Sequence, residues 1–529
     1  MSALQHSNLR CVSKNFRYQL FKEVQSSHAT HYKSTTPSQS LMKHPNVLWM
    51  VSDHQAFANR KLNIEYFPLQ KRLGEIGTTF RRAYTVLPIC SPARASMLTG
   101  LYPHMHGLTE NDGRFGGRAE LDVGEALLQR DFRTAGYRCG WFGKWHLNHD
   151  TSACDHGFEG FSLPGYGYPY NTPEYKAYLS SIQSGPLFAE IEVPGESRLA
   201  PATQVDLLEE DSWYDYEAGS AILHGPEEVH EAHFLADAAI RWIKSVDRTH
   251  PFFVRLDPWG PHPPYTVPSG FQSEMRDEDI FLSHNLDHDL ETRPAHHAQY
   301  RDQWQRDLRE DSFDWPRLTR RAIEHSIVVE RALKKVIDFL EDCGRIENTI
   351  IVFCADHGDA VASNGGVMNK GSLLTEETIR IPMVFAGPSI ARGKTTDALI
   401  ANVDVAPTLL DLCDLTPSST HQGLSVEGQL HNPRGSALRD KIMVQHYGLH
   451  IPIVQRCLVQ TNWKYVLQED GFEELYRLDA DPYERTNLAI EDPNASAILN
   501  QLRSSLRKEM ESLGDNQKEI RSVLDTLSE

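Results

Sequence analysis

The sequence predicts an α/β protein: a large, mostly parallel sheet flanked by helices, followed by a smaller C-terminal α+β domain. Three observations lead there. Two near-continuous apolar runs of strand length, NVLWMVS (46–52) and NTIIVFCA (348–355), each end in Asp-His. Buried parallel strands read this way, and their carboxyl ends face the crevice where such sheets bind ligands. A stretch of helical period, Ala322 to Gly344, stops on a glycine just before the second run, and helices alternating with buried strands imply a sheet covered on both faces. After about residue 415 the pattern changes to short alternating segments separated by turns.

Taken in order, residues 1–45 carry Arg10, Lys14, Arg17, Lys22, Lys33 and Lys43 against Glu23 alone, with several serines and no apolar core of a secretory signal. They read as a disordered N-terminal extension with a slight likeness to a transit peptide. Order begins at HPNVLWMVSDHQ, and 46–415 is expected to be the larger α/β domain. IPMVFAG (381–387) is a third strand, and NVDVAPTLLDLCDL (402–415) is a strand end running into a helix. Two loop-rich insertions, Gly157–Tyr178 and Ile280–Trp315 with His284, His288, His296 and His297, are expected to decorate the surface. The aromatic residues Tyr166, Tyr168, Tyr170, Trp213, Tyr214 and Tyr216 are either packing or a substrate wall. Residues 416–529 supply short antiparallel strands and a closing amphipathic helix, NASAILNQLRSSLRKEMESL.

Composition narrows the partners. The chain has 529 residues, 40% of them hydrophobic, and a formal net charge of −19. An acidic body argues against nucleic acid and anionic membranes as main partners, although a pocket in it can be locally basic. No run of eighteen apolar residues marks a membrane span. The eight cysteines form no CxxC pair, which suits reduced thiols and a cytoplasmic location.

The chemistry concentrates at strand ends. Asp53-His54 and Asp356-His357 would be neighbours in a parallel sheet, and converging carboxylates and imidazoles hold divalent metals. An isolated Asp-His pair is an ordinary loop feature; two pairs with a cysteine between them in sequence are not. That cysteine, Cys90 in LPICSPARASMLTG, stands at the mouth of a predicted helix with Arg94 one turn on. Lys144 and His146 in GKWH, His262 held among Pro261, Pro263 and Pro264, and Lys370 in a glycine-flanked loop are compact donors at strand-to-loop junctions. Such a set suits a tetrahedral oxyanion.

These motifs resemble the type I sulfatases of the alkaline phosphatase superfamily. The resemblance runs through NVLWMVSDH, CSPAR with ASMLTGLYPHMHG, GKWH, PHPPY, ADHG and NKG in the family's order, and then through NWKYVLQEDGFEELYRLDADPYERTNL, over roughly residues 46 to 490. It implies that a maturation enzyme oxidises Cys90 to formylglycine. One hydroxyl of the aldehyde hydrate attacks sulfur and displaces the alcohol; the other loses its proton, the carbonyl re-forms and sulfate leaves. A serine or thiol lacks that second hydroxyl and would stay esterified. The helix mouth at Cys90 would favour developing negative charge.

Carried over by the resemblance, the metal ligands are Asp53, the oxidised Cys90 side chain, Asp356 and His357. Lys144, His262 and Lys370 hold the sulfate, with Asn111 as a further donor. His146 and Arg94 orient the hydrate, and His262 or Lys370 protonates the leaving oxygen. One position departs: the family commonly has a second aspartate where this chain has His54, which either ligates or lies outside the metal shell. Calcium is the implied ion, while imidazole ligands shift preference toward manganese or another transition metal. A phosphonate monoester or phosphodiester hydrolase is the neighbouring reading. It shares the nucleophile and is favoured by His357 and the non-aspartate at 54, whereas Lys144 and His146 favour the sulfatase. A non-catalytic binding protein would need a broken constellation, and a thiol hydrolase leaves both Asp-His pairs without a role. Aryl, sugar and alkyl sulfates all remain open as substrates.

Overall fold

The computed structural model describes residues 44–55, 64–122, 127–194, 204–208, 218–305, 313–417 and 420–527. The expected N-terminal extension up to residue 43, and Trp213, Tyr214 and Tyr216, lie outside the described residues. Strands are numbered in chain order and form three sheets. The central one contains β1 (Asn46–Ser52), β2 (Gly77–Tyr84), β3 (Arg138–Lys144), β4 (Glu159–Leu163), β8 (Phe252–Asp257), β10 (Thr349–Ala355), β11 (Arg380–Ile381), β12 (Met383–Ala386) and β13 (Lys394–Ala401). Its order is β11-β2-β12-β10-β1-β8-β3-β4, with β13 paired to β2. A small sheet of β5 (Phe188–Pro194), β6 (Gln204–Asp206), β7 (Ala218–Leu223) and β9 (Tyr265–Pro268) lies beside it, and β14 (Lys441–His446), β15 (Gln455–Gln460), β16 (Trp463–Gln468) and β17 (Glu473–Arg477) form an antiparallel C-terminal sheet.

The two apolar runs are adjacent at the centre of the main sheet. β1 and β10 pair in parallel with Ser52 opposite Ala355, and every residue of both is buried. Alternate side chains serve opposite faces. Leu48, Met50, Leu256 and Phe353 pack under the helices Glu231–Ser245 and Trp315–Asp342, while Val47, Trp49, Val51 and Val352 pack under Cys90–Thr99 and Val405–Leu412. The helix read from Ala322 begins earlier, at Trp315, and Gly344 at φ 68 follows its end.

One expectation holds and two need correcting. First, the sheet is mostly parallel, as expected: β10 through β4 pair in parallel and β13 pairs in parallel with β2, while β12 runs antiparallel to β10 and β2 antiparallel to β12. The chain between β10 and β12 makes no crossover; it loops out at the carboxyl end of the sheet and re-enters there, which forces an antiparallel return. Second, Gly157–Tyr178 is not decoration. It supplies edge strand β4, and Tyr168, Tyr170, Tyr175 and Tyr178 are buried in the core, leaving Tyr166 as the exposed ring. Third, Ile280–Trp315 buries Asn285, His288, Arg293, His296 and His297, because this segment joins the main body to the C-terminal sheet.

That sheet and the helix Ser496–Leu513 share one hydrophobic core with Tyr84, Val86, Tyr102, Leu374 and Ile379 of the main body. A second helix, Lys518–Thr526, follows the one expected to close the chain. Among the described residues no helix is long and apolar enough to cross a membrane.

Candidate active site

The parallel register of β1 and β10 delivers Asp53 and Asp356 side by side. His54, held at φ 68, donates its backbone N–H to Asp356 Oδ1 at 2.9 Å, and His357 N–H donates to the same oxygen at 2.9 Å. Between these strand ends and the first turn of Cys90–Thr99 lies a cluster. Ligand atoms of Asp53, Cys90, Asp356 and His357 all fall within 4.8 Å of one another, and all four residues are buried. The thiol of Cys90 lies 3.2 Å from His357 Nε2. His357 Nδ1 donates to the carbonyl of Gly358 at 2.9 Å, which leaves its Nε2 lone pair facing the cluster.

Arg94 lies under this cluster with no exposed surface. Its Nε donates to Asp356 Oδ2 at 3.0 Å, Nη1 to Asp257 Oδ2 at 3.0 Å and to the Lys144 carbonyl at 3.2 Å, and Nη2 stands 3.4 Å from Asp53 Oδ1. Lys144 Nζ donates to Asp53 Oδ2 at 2.6 Å. Burial alone would raise the Asp53 carboxyl, but Lys144, Arg94 and His262 hold it well below its ordinary range. Burial pushes Asp356 up to about 6. Cys90 sits at about 6: burial opposes ionisation, while Lys144 and Lys370 outweigh it. Burial, with Asp356 opposing, takes His357 down to about 4, so it is a neutral imidazole at pH 7.

The other predicted residues ring this centre. His262 is buried, its Nδ1 donating to the Pro263 carbonyl at 2.6 Å, and its ring also meets the Cys90 side chain. His146 packs edge-on against Tyr166 with centroids 3.8 Å apart, and neither of its nitrogens has a hydrogen-bond partner among the described residues. Asn111 accepts from the Ser91 N–H at 3.1 Å, at the mouth of the Cys90 helix, and donates to the Tyr166 hydroxyl at 2.6 Å. His54 lies outside the set of four. Its ring stands 4.6 Å from His357 and 4.7 Å from His262 between centroids, and its Nε2 is 3.8 Å from Asp359 Oδ2.

Lys370 is buried on the loop between β10 and β12, and C-terminal residues grip that loop. The Ser372 carbonyl accepts from Gln455 Nε2 at 2.9 Å and from His296 Nε2 at 3.0 Å, Ser372 Oγ donates to the Ile451 carbonyl at 3.3 Å, and Glu376 N–H donates to Glu484 Oε2 at 2.9 Å. Glu484 pairs in turn with Lys464 at 2.6 Å.

Sequence reading missed the support beneath the site. Arg255 and Asp257 stand two apart on β8, facing the same side of an otherwise apolar strand; opposite charges at i and i+2 in FFVRLD were the available signal. Glu231, which accepts the Gly260 N–H at 2.9 Å and so fixes the loop bearing His262, left no such signal.

The donor set fits a divalent cation. Asp53 Oδ1 accepts no hydrogen bond among the described residues, His357 turns its Nε2 lone pair toward the cluster, and two carboxylates supply the negative charge. A buried carboxylate–imidazole cluster at the carboxyl end of an α/β sheet, ringed by lysine and histidine, suits metal-assisted hydrolysis of an anionic ester. The family models agree and are more specific. Residues 45–415 match the Sulfatase model, and residues 366–512 match the N-sulphoglucosamine sulphohydrolase C-terminal model. The chain therefore belongs to the sulfatase family, enzymes that hydrolyse sulfate esters.

Among its relatives is an uncharacterized sulfatase of Escherichia coli (strain K12), 25% identical over 90% of this chain and 88% of that one. A structure solved in complex with its substrate D-glucosamine-2-N,6-O-disulfate superposes with a TM-score of 0.67 at 20% identity, covering 90% of this chain and 99% of that one. The phosphonate monoester hydrolase of Agrobacterium radiobacter shares the fold at TM-score 0.64 and 22% identity, covering 88% and 96%.

Proposed function

We propose that this sulfatase cleaves a sulfate monoester to an alcohol and inorganic sulfate, with Cys90, oxidised to formylglycine by a maturation enzyme, as the nucleophile. The observation that carries the reading is the position of the Cys90 side chain. It clusters with Asp53, Asp356 and His357, and the cations Lys144 and Lys370 act on it electrostatically. A divalent ion held there would supply Lewis acidity and ease deprotonation of the hydroxyl at position 90. We take calcium first, on the resemblance, with manganese or another transition metal as the alternative.

The protein's own groups divide the remaining work. Lys144 and Lys370 neutralise the sulfate oxygens in a site that excludes water. His262 has its Nδ1 proton committed to Pro263, and burial, joined by Lys370, lowers its pKa. It is thus neutral, and its ring meets the Cys90 side chain, which suits it to take the proton of the second hydroxyl as sulfate is expelled. Proton donation to the departing alkoxide then falls to Lys370. Tyr166 stands over Lys144 and beside His146, and its exposed ring forms part of the mouth through which the alcohol portion enters.

The test is peptide mass spectrometry across Cys90 on protein from a host with the maturation enzyme, followed by a panel of sulfate esters and phosphonate monoesters. Formylglycine with preferential sulfate-ester turnover is expected. An unmodified cysteine in active protein would overturn the nucleophile, and preferential phosphonate turnover would support the second reading, which His54 and His357 favour.

A further inference from the structure

We propose that Asp257 is a positioning residue for metal binding: shared between Arg94 and Arg255, it cancels one of two buried guanidinium charges beneath the cluster. The inference rests on the metal-dependent reading above. The geometry begins with register. On the sheet, Arg255 of β8 is flanked in register by Trp49 of β1 and Trp141 of β3. Its guanidinium carbon lies 4.0 Å from the Trp49 ring and 4.7 Å from the Trp141 ring. Packed between two indoles and fully buried, this cation cannot swing to water. Its nearest carboxylate is two residues on: Arg255 Nε donates to Asp257 Oδ1 at 2.9 Å and Nη2 to Oδ2 at 2.5 Å. Asp257 Oδ2 is also the oxygen that receives Arg94 Nη1.

Arg94 is the guanidinium that spans the two strand-end carboxylates. It can occupy a dry space only if its charge is balanced, and a buried charge stripped of its partner is strongly unfavourable. With Asp257 present, the trio Arg94, Arg255 and Asp257 carries a net charge of +1. Without that carboxylate it would carry +2, facing the place where a divalent cation must bind. Gly143 allows the arrangement: it is paired with Asp257 across β3 and β8, and a Cβ there would stand 1.9 Å from the Asp257 carbonyl oxygen.

The experiment compares matured wild type, Asp257→Asn, and Arg255→Gln/Asp257→Asn. Asparagine keeps the shape and one acceptor for Arg94 but raises the trio to +2; the double variant returns it to +1. Metal affinity of the folded protein is read by chelator competition with metal analysis, beside kcat and KM measured separately. Asp257→Asn should lose metal affinity by ~10–100-fold, with a matching fall in activity at limiting metal that excess metal restores. The double variant should recover at least tenfold of that affinity.

A merely structural Asp257 would lower the melting temperature and leave metal affinity per folded molecule unchanged. Wild-type-like affinity in folded Asp257→Asn, or a double variant no better than the single, would overturn the proposal. If Asp257→Asn does not fold, Arg255→Gln decides: it lowers the trio to zero, so metal affinity above wild type supports the proposal, and unchanged or weaker affinity in the folded variant refutes it. A wild type that binds no metal and survives exhaustive chelation would overturn the metal-dependent reading, and this inference with it.

Discussion

Replacing Lys144 by alanine removes a fully buried ammonium 2.6 Å from Asp53 Oδ2, and two separable losses should follow. The first is kinetic. A preorganised charged donor in a water-excluded oxyanion site is worth about 3–4 kcal/mol, so kcat should fall by ~10²–10³. The second is structural. Unpairing a buried carboxylate costs about 3–5 kcal/mol when nothing else compensates. Here Arg94 remains 3.4 Å from the other oxygen of Asp53, so the loss belongs at the lower end of that range. Lys144→Arg keeps the charge but replaces a compact ammonium with a planar fork, and it should restore stability more fully than turnover. The assay is kcat and KM on an aryl sulfate, with thermal melting on the same samples. A Lys144→Ala enzyme within threefold of wild type in kcat/KM would refute the placement of Lys144 in the sulfate site.

Other expectations concern pH, the metal and the C-terminal sheet. Burial raises Glu231 to about 8, well above an ordinary glutamate. The folded protein therefore keeps a proton that the unfolded chain gives up, and stability falls as pH rises from about 4.5 through 8. Glu231→Gln abolishes this ionisation, so its advantage in unfolding free energy should grow from pH 5.5 to pH 8.5, on the order of several kcal/mol at the upper end; a pH-independent difference would contradict it. Exhaustive chelation should abolish turnover, and adding back the native ion should restore it, with activity in metal-free protein as the refuting result. Gln455→Leu removes a bond to the Ser372 carbonyl, and the looser Lys370 loop should cost about tenfold in kcat; unchanged kinetics would show that the loop's other bonds hold it without Gln455.

What was legible in the sequence was whatever a short stretch of chain decides. Asp53 and Asp356 could be placed together because two uninterrupted apolar runs must lie inside a parallel sheet, and their last residues then share a rim. Cys90 and Arg94 were visible as one helical turn. The direction of β12 was hidden because an apolar run carries no sign; only the missing crossover between β10 and β12 sets it. Tyr168 and Tyr170 were ambiguous for a similar reason, since a tyrosine in a Gly-Pro-rich stretch suits a pocket or a core until its neighbours are known. Asp257 was the deepest omission. Its role depends on Arg255 being locked between tryptophans from two other strands, and nothing within FFVRLD records those neighbours.

The grip of the C-terminal sheet on the Lys370 loop gives the molecule an order of assembly. A chain released at residue 415 would already contain Asp53, Cys90, Asp356 and His357, yet it would lack Gln455, Ile451 and Glu484, which hold the Ser372 carbonyl and hydroxyl and the Glu376 amide in place. If Lys370 holds the substrate anion as proposed, such an intermediate would bring its cluster residues together before that lysine is fixed, and competence toward sulfate would arrive only once the last strands dock.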